Sequence, residues 1–170
     1  MDYQWLIVVL VVLSLVGSVS WVMPTPVQRA QAKIRKLAME QGVQVRIGKL
    51  QGPREQGEMA PDSHLATGYW LPRDSKVART MSQTHNWEIF KANGLDTKGL
   101  PEGWCWNRGE GALNDSQLEL LAGLIAKLPK DVYAMGGSPV SAIVYWHEMS
   151  TPAELDVLVD VLRTMLAESL

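Results

Sequence analysis

Nineteen consecutive residues without a charged side chain, Trp5 to Met23 (WLIVVLVVLSLVGSVSWVM), constrain this chain more than any other feature. At a helical rise of about 1.5 Å per residue such a run reaches roughly 28 Å, close to the thickness of a bilayer's hydrocarbon core. A helix apolar on every side is not the one-striped helix of a small globular core. The run is therefore expected to be a transmembrane anchor over residues 1–23. A cleaved leader would need a basic n-region, a shorter apolar core and a small-residue cleavage site. Here only Asp2 precedes the run, and Ser18-Val19-Ser20 is followed at once by Trp21 and Val22. Trp5 and Trp21, with Tyr3 beside the first, stand near the two ends, where amphipathic rings favour the headgroup region.

Charge sets the expected orientation. Arg29, Lys33, Arg35 and Lys36 follow the run with no acidic residue among them, whereas the other flank carries only Asp2. The positive-inside rule then leaves the bulk of the chain in the cytoplasm and the N-terminus outside, in a single pass through the inner membrane if the source is bacterial. The same four cations are the candidate contacts to lipid headgroups.

The remaining length, about 147 residues, suits one domain with a modest core. A lone cysteine, Cys105, allows no internal disulfide and suits a reducing compartment. The formal net charge of −2 gives no general footprint for nucleic acid. Its distribution is uneven: Pro24 to Trp87 holds ten Lys or Arg against five Asp or Glu, and Glu88 to Leu170 holds six against twelve. A basic half near the anchor would be drawn to anionic lipid and an acidic distal half repelled from it.

Thr25 as a cap and Pro26 at the first helical position predict a helix from about Val27 to Gln41, stopped by Gly42. Its apolar stripe is Val27, Ala30, Ile34 and Leu37, and residues 24–42 are read as a basic amphipathic helix beside the membrane. Val43, Val45 and Ile47 alternate with Gln44 and Arg46 as in a half-buried strand. Residues 51–64 read as an exposed loop, Leu65 to Leu71 and Trp87 to Lys91 as strands, and Asp74 to Gln83 as a loop or short helix. Asn93 to Asp115, with five glycines, reads as a long connection. Asn114 or Asp115 then caps a helix ended by Pro129. Two strands follow, Val132 to Met135 and Val140 to His147, joined by a Gly136-Gly137-Ser138-Pro139 turn. The second is apolar on both faces, which predicts a central position. Thr151-Pro152-Ala153-Glu154 is a capping box opening a last helix. The order predicts an α+β fold: a transmembrane helix, then a two-layer domain over residues 43–170 with a mostly antiparallel sheet and two or three packed helices.

Chemistry is harder to place. His64, His85 and His147 lack the paired spacing of zinc ligands, so no metal and no cofactor is assigned. Cys105 between two tryptophans has no flanking signature of a thiol nucleophile. Gly109-Glu110-Gly111 and Gly136-Gly137 lack the lysine and the strand-to-helix setting of a phosphate loop. No catalytic residue is assigned. Trp104, Trp106 and Arg108 form the candidate partner surface: in an extended segment the three share one face, and Trp and Arg are enriched at interface hot spots. The alternative is that the tryptophans pin a glycine-rich loop to the core.

The layout, with Pro24-Thr25-Pro26 leading to Gly42-Val43, resembles uncharacterised single-pass inner-membrane proteins of proteobacteria. The resemblance implies a location and carries no catalytic residue. The expected function is a membrane-tethered cytoplasmic domain, a non-enzymatic accessory or scaffold subunit that binds a protein partner. The alternative is a small ligand-binding or enzymatic domain with its site in residues 93–115.

Overall fold

The computed structural model describes residues 3–22, 24–53, 63–80, 86–92, 97–149 and 151–170. The chain divides into two units, Met1–Lys33 and Ile34–Leu170. In the first, helix α1 spans Gln4–Val22, and its large apolar side chains from Tyr3 to Val16 are 45% to 73% exposed. Among the described residues no helix is long and apolar enough to cross a membrane. The part of α1 whose side chains are described stops at Gly17, a rise of about 21 Å from Gln4 against a hydrocarbon core of about 30 Å. This corrects the expected transmembrane anchor, and with it the single span, the inner-membrane location and the orientation that rested on it. The ring of Trp21, invoked as an interfacial end, lies outside the described side chains.

Helix α2, Pro26–Glu40, begins as its sequence requires. Gln28 N–H donates to Thr25 Oγ1 at 3.2 Å while Thr25 N–H donates to Gln28 Oε1 at 2.9 Å, a reciprocal cap that satisfies two free amides. Gly42 closes it at φ +85°, and Val43 N–H returns to the Ala38 carbonyl at 3.0 Å. Only the C-terminal half of the expected stripe docks. Ile34 and Ala38 are buried and Leu37 packs against the core, whereas Val27 stays 64% exposed.

Unit Ile34–Leu170 is built on six strands: β1 Gln44–Gln51, β2 Ser63–Pro72, β3 Trp87–Phe90, β4 Cys105–Arg108, β5 Val132–Gly137 and β6 Ser141–Trp146. Their order is β1-β2-β6-β5-β3-β4 with every pairing antiparallel. The sheet is thus three hairpins side by side, the last in sequence lying between the other two. Helix α3, Ser75–Thr80, follows β2. Helix α4, Asp115–Ile125, is capped by Asn114 with Gln117 in reciprocal bonds. Helix α5, Pro152–Ala167, opens on the Thr151/Glu154 box. Among the described residues the fold is α+β, with five helices and one six-stranded antiparallel sheet.

Register separates the two faces of the sheet. Tyr69 faces Val144, Leu71 faces Ala142, and Met135 faces both Val144 and Ile89, so these residues share one face. All of them join the main core with Leu121 and Leu124 of α4 and Leu155, Leu158 and Leu162 of α5. The other face carries a separate small cluster: Leu50, Ala66, Phe90, Cys105 and Ala134, with Tyr145 beside them. Leu50 belongs to one edge strand and Cys105 to the other. For both to join one cluster the sheet must curl, with this face inside the curl.

The strand β4 lies within the segment expected to be only a connection. It is four residues long and set between Gly103 at φ +81° and Gly109 at φ +79°. Gly109 is required for two reasons, since a Cβ there would fall 2.4 Å from the Asn86 carbonyl oxygen.

Candidate functional site

The inside of the curl holds a cavity of about 620 Å³, within the range of ligand sites. Beneath its wall, on β2, the buried Gly68 leaves room for three neighbours. A Cβ on Gly68 would lie 2.8 Å from Trp70 Nε1, 3.0 Å from Ile143 Cδ1 and 3.2 Å from Tyr145 Cε1. These three side chains line the cavity together with Lys49, Glu88 and Arg108. Register places all of them but Lys49 on this face, since Trp70 faces Ile143, Gly68 faces Tyr145, and Glu88 faces Arg108, whereas Lys49 alternates with the inward Leu50 on β1. The Arg46 guanidinium sits 5.6 Å from the centroid of the Trp70 ring, a cation–π contact on the same face.

One side chain joins the two edges of the curl. Asn107 Nδ2 donates to the Gln51 carbonyl of β1 at 3.0 Å and to Glu88 Oε1 at 2.7 Å. Asn107 can do so because β3 and β4 slip register there: Glu88 faces Arg108, but Ile89 faces Trp106. Asn107 is the extra residue of a β-bulge.

Tyr145 anchors the electrostatics. Burial raises its hydroxyl well above the usual tyrosine value, the Glu88 carboxylate and Tyr133 push it further, and Arg108 pulls it partly back. The phenol remains a neutral donor at physiological pH. Arg108 and Lys49 are exposed. The ion pairs among the described residues are Arg35–Glu148 and Lys36–Glu40; Arg108 makes none, though it faces Glu88 across the β3–β4 pair.

The expected partner surface is divided by the bulge. Trp104 and Trp106 keep 5% and 6% exposure and belong to the main core. Trp106 stands edge-on to Trp87 at 6.4 Å and donates its indole N–H to the Lys98 carbonyl at 2.9 Å. Arg108 alone of the three reaches the cavity. A regular strand would carry residues 106 and 108 on one face; the extra residue at 107 sends Trp106 to the helix side and Arg108 to the other.

The four basic residues of α2 also part company. Arg29 and Lys33 are exposed, and Lys36 is exposed with its Nζ 3.9 Å from Glu40. Arg35 turns to Glu148 in a bidentate pair, Nε to Oε1 at 2.8 Å and Nη2 to Oε2 at 2.6 Å. Tyr69 adds its hydroxyl to Oε1 at 2.6 Å. Glu148 is 4% exposed and sits at φ +58°, a left-handed conformation rare for a glutamate. The hydrogen bonds that Arg35 donates to Glu148 hold its guanidinium above the ordinary value, while burial, and then the bond to Glu148, raise Tyr69. This network fastens the second half of α2 to the end of β6 and lies apart from the cavity.

Cys105 is fully buried in the small cluster. His85 and the side chain of His64 lie outside the described residues, and exposed His147 stacks on Tyr133 at 4.3 Å. Among the described residues no three His, Cys, Asp or Glu side chains group to hold a metal ion. No protein-family model, curated protein or solved structure matches this chain.

The cavity itself was legible only in part. The apolar face pattern of β6 placed it centrally, between β2 and β5. The spacing Gly68-x-Trp70 carries the signal for an open face, because a glycine in mid-strand often marks close approach of another group.

Proposed function

We propose that this chain is a non-enzymatic binding module, an accessory or scaffold subunit that takes a segment of a protein partner along the concave face of its sheet. The observation that supports this most is the inner side of the curl, which no described helix covers. Trp70, Ile143 and Tyr145 gather over Gly68 between charged walls, while the helices cover the opposite face. Aromatic side chains with few rotors and a polar tip give contact area at low entropic cost, as interfaces use them. A short random peptide library displayed on phage tests the reading. Selection on the full chain is expected to enrich a consensus that Trp70→Ala loses by roughly tenfold or more in affinity, the size of a hot-spot truncation. The reading is wrong if no consensus emerges, or if Trp70→Ala, shown folded by its melting curve, binds the enriched peptide as well as the parent.

A further inference from the structure

We infer that the segment this groove takes is held as an added strand, its main chain hydrogen-bonded along the free edge of β1. The inference rests on the binding-module reading and adds the way the segment is held. Lys49 lines the cavity, yet it faces Leu65 in register and alternates with the inward Leu50, so its side chain stands on the other face. What Lys49 shows the cavity is its main chain. Gln51, two residues on, fixes which way that main chain points. Its carbonyl accepts from Asn107 across the curl at 3.0 Å, away from β2. In an antiparallel pair the residues alternate between those bonded to the neighbouring strand and those whose N–H and C=O leave the other way. The β1–β2 register runs without a shift from Gln44 to Gln51. Val45, Ile47 and Lys49 therefore turn their N–H and C=O outward with Gln51, and among the described residues no bond reaches these three amides and carbonyls.

Strands at the edge of a sheet are normally blunted by proline, by a bulge or by shortness. Strand β1 has none of these: it is eight residues long, six of them exposed, and unbroken in register. Its outward row is a template for one more strand, the recognition mode in which main-chain bonds hold a peptide and alternate side chains select it. The occupant is an extended segment of another protein rather than a second β1. Arg46 and Lys49 set like charges on any pair of β1 strands. Strand β1 also follows helix α2 directly, Glu40 to Gln44, so a second copy's β1 would carry its helix into the curl. The segment is defined by a period of two rather than by its charge, since Arg108 and Glu88 face each other in the cavity with opposite signs. Side chains turned into the cavity meet Trp70 and Tyr145, and those between them lie beside Ile47, 54% exposed on the opposite face. The bond from Asn107 ends the row, because it occupies the Gln51 carbonyl.

N-methyl scanning of the library-selected peptide tests this on the full chain, with affinity read by fluorescence polarisation. Methylation at every second main-chain nitrogen is expected to weaken binding about fivefold or more, the worth of a hydrogen bond, and methylation at the nitrogens between to leave it within about twofold. Amide exchange reads the other partner. Ile47 and Lys49 are expected to exchange fast in the free chain and to become protected at saturation, whereas Gly48 and Leu50, bonded to β2, are protected throughout. Lys49→Pro removes an N–H that is unpaired in the free chain, so it is expected to stay folded, as its melting curve shows, and to lose the peptide. Should that variant not fold, the scan and the exchange decide alone. Equal tolerance of every N-methyl group, loss at consecutive positions, or unchanged exchange at Ile47 and Lys49 overturns the inference. So does a chain that dimerises with those two amides protected and no peptide present. If the library consensus still depends on Trp70 while the scan shows no period of two, strand addition falls and the binding module stands; if the library yields no consensus, both fall.

Discussion

Asn107 of β4 donates its side-chain amide to the backbone carbonyl of Gln51 in β1 at 3.0 Å, although these strands stand at opposite ends of the six-stranded order. One bond from a bulge residue thus closes the open side of the sheet, and its second bond, to Glu88, fixes one wall of the groove. Removing it with Asn107→Ala is expected to cost about 1 kcal/mol, the net worth of half-exposed hydrogen bonds. Asn107→Asp is expected to cost more, because it removes the donor and sets a second carboxylate beside Glu88. Urea unfolding of the three proteins gives the order parent, Ala, Asp. An unchanged midpoint for both variants would mean that the edges are not joined in solution.

Gly68 is expected to be a position where affinity and stability respond differently. A Gly68→Ala methyl meets the ends of Trp70, Ile143 and Tyr145, side chains that can swing. Stability should fall by about 1 kcal/mol or less, while peptide binding should fall severalfold because the aromatic wall moves. Calorimetric melting alongside binding of the library peptide separates the two. A large loss of stability with intact affinity would contradict the placing of Gly68 beneath the groove's aromatic wall.

Trp106 and Trp70 should give opposite profiles. Trp106→Ala empties part of the main core and is expected to lose about 3–5 kcal/mol. Trp70→Ala, on the open face, should lose about 1 kcal/mol and most of the binding. Chemical denaturation of both variants checks this, and equal losses would place the two rings in equivalent environments.

Much of the fold was readable from the sequence because the signals were local. The caps at Thr25, Asn114 and Thr151, the glycine stop at Gly42 and the alternation in β1 each depend on residues within a few positions. Strand β4 was not readable, since four residues between glycines lack a period, and only pairing with β3 makes them a strand. The same limit hid the site. Trp104, Trp106 and Arg108 share a face in any regular extended chain, and the bulge at Asn107 that separates them is a property of the pairing. Arg35 looked like its neighbours on α2 until Glu148, more than a hundred residues away, appeared beside it. The apolar run at the beginning failed differently, since its length counted side chains, from Ser18 to Met23, that lie outside those described.

The Arg35–Glu148–Tyr69 network makes a stability claim of its own. Glu148→Ala leaves a partly buried guanidinium and a buried phenol without their acceptor, and is expected to cost about 2 kcal/mol, reduced from the fully buried case because Arg35 retains 30% side-chain exposure. Glu148→Gly relieves the positive φ and should recover a few tenths of that. Thermal melting distinguishes them, and a Glu148→Ala variant as stable as the parent would show that the network adds nothing.

Alkaline pH should unfold the protein through its tyrosines. Burial raises Tyr133 to about 12 from the usual 10.0 and raises Tyr69 and Tyr145 further. These folded values lie above the unfolded one, so the stability they confer is complete below about pH 10 and is lost as pH rises beyond it. The urea midpoint is expected to hold steady up to about pH 9.5 and then fall, with phenolate absorbance lagging behind that of the denatured chain. Full tyrosine ionisation near pH 10 without loss of structure would contradict this.

The most direct test of the groove is to watch the indole N–H resonances of the seven tryptophans while the library-selected peptide is titrated into the full chain. The Trp70 resonance is expected to shift with saturation, and those of buried Trp104, Trp106 and Trp146, none of which lines the cavity, to stay within a small fraction of that shift. Movement of Trp104 or Trp106 with Trp70 unmoved would contradict the account and return the binding surface to the glycine-rich loop.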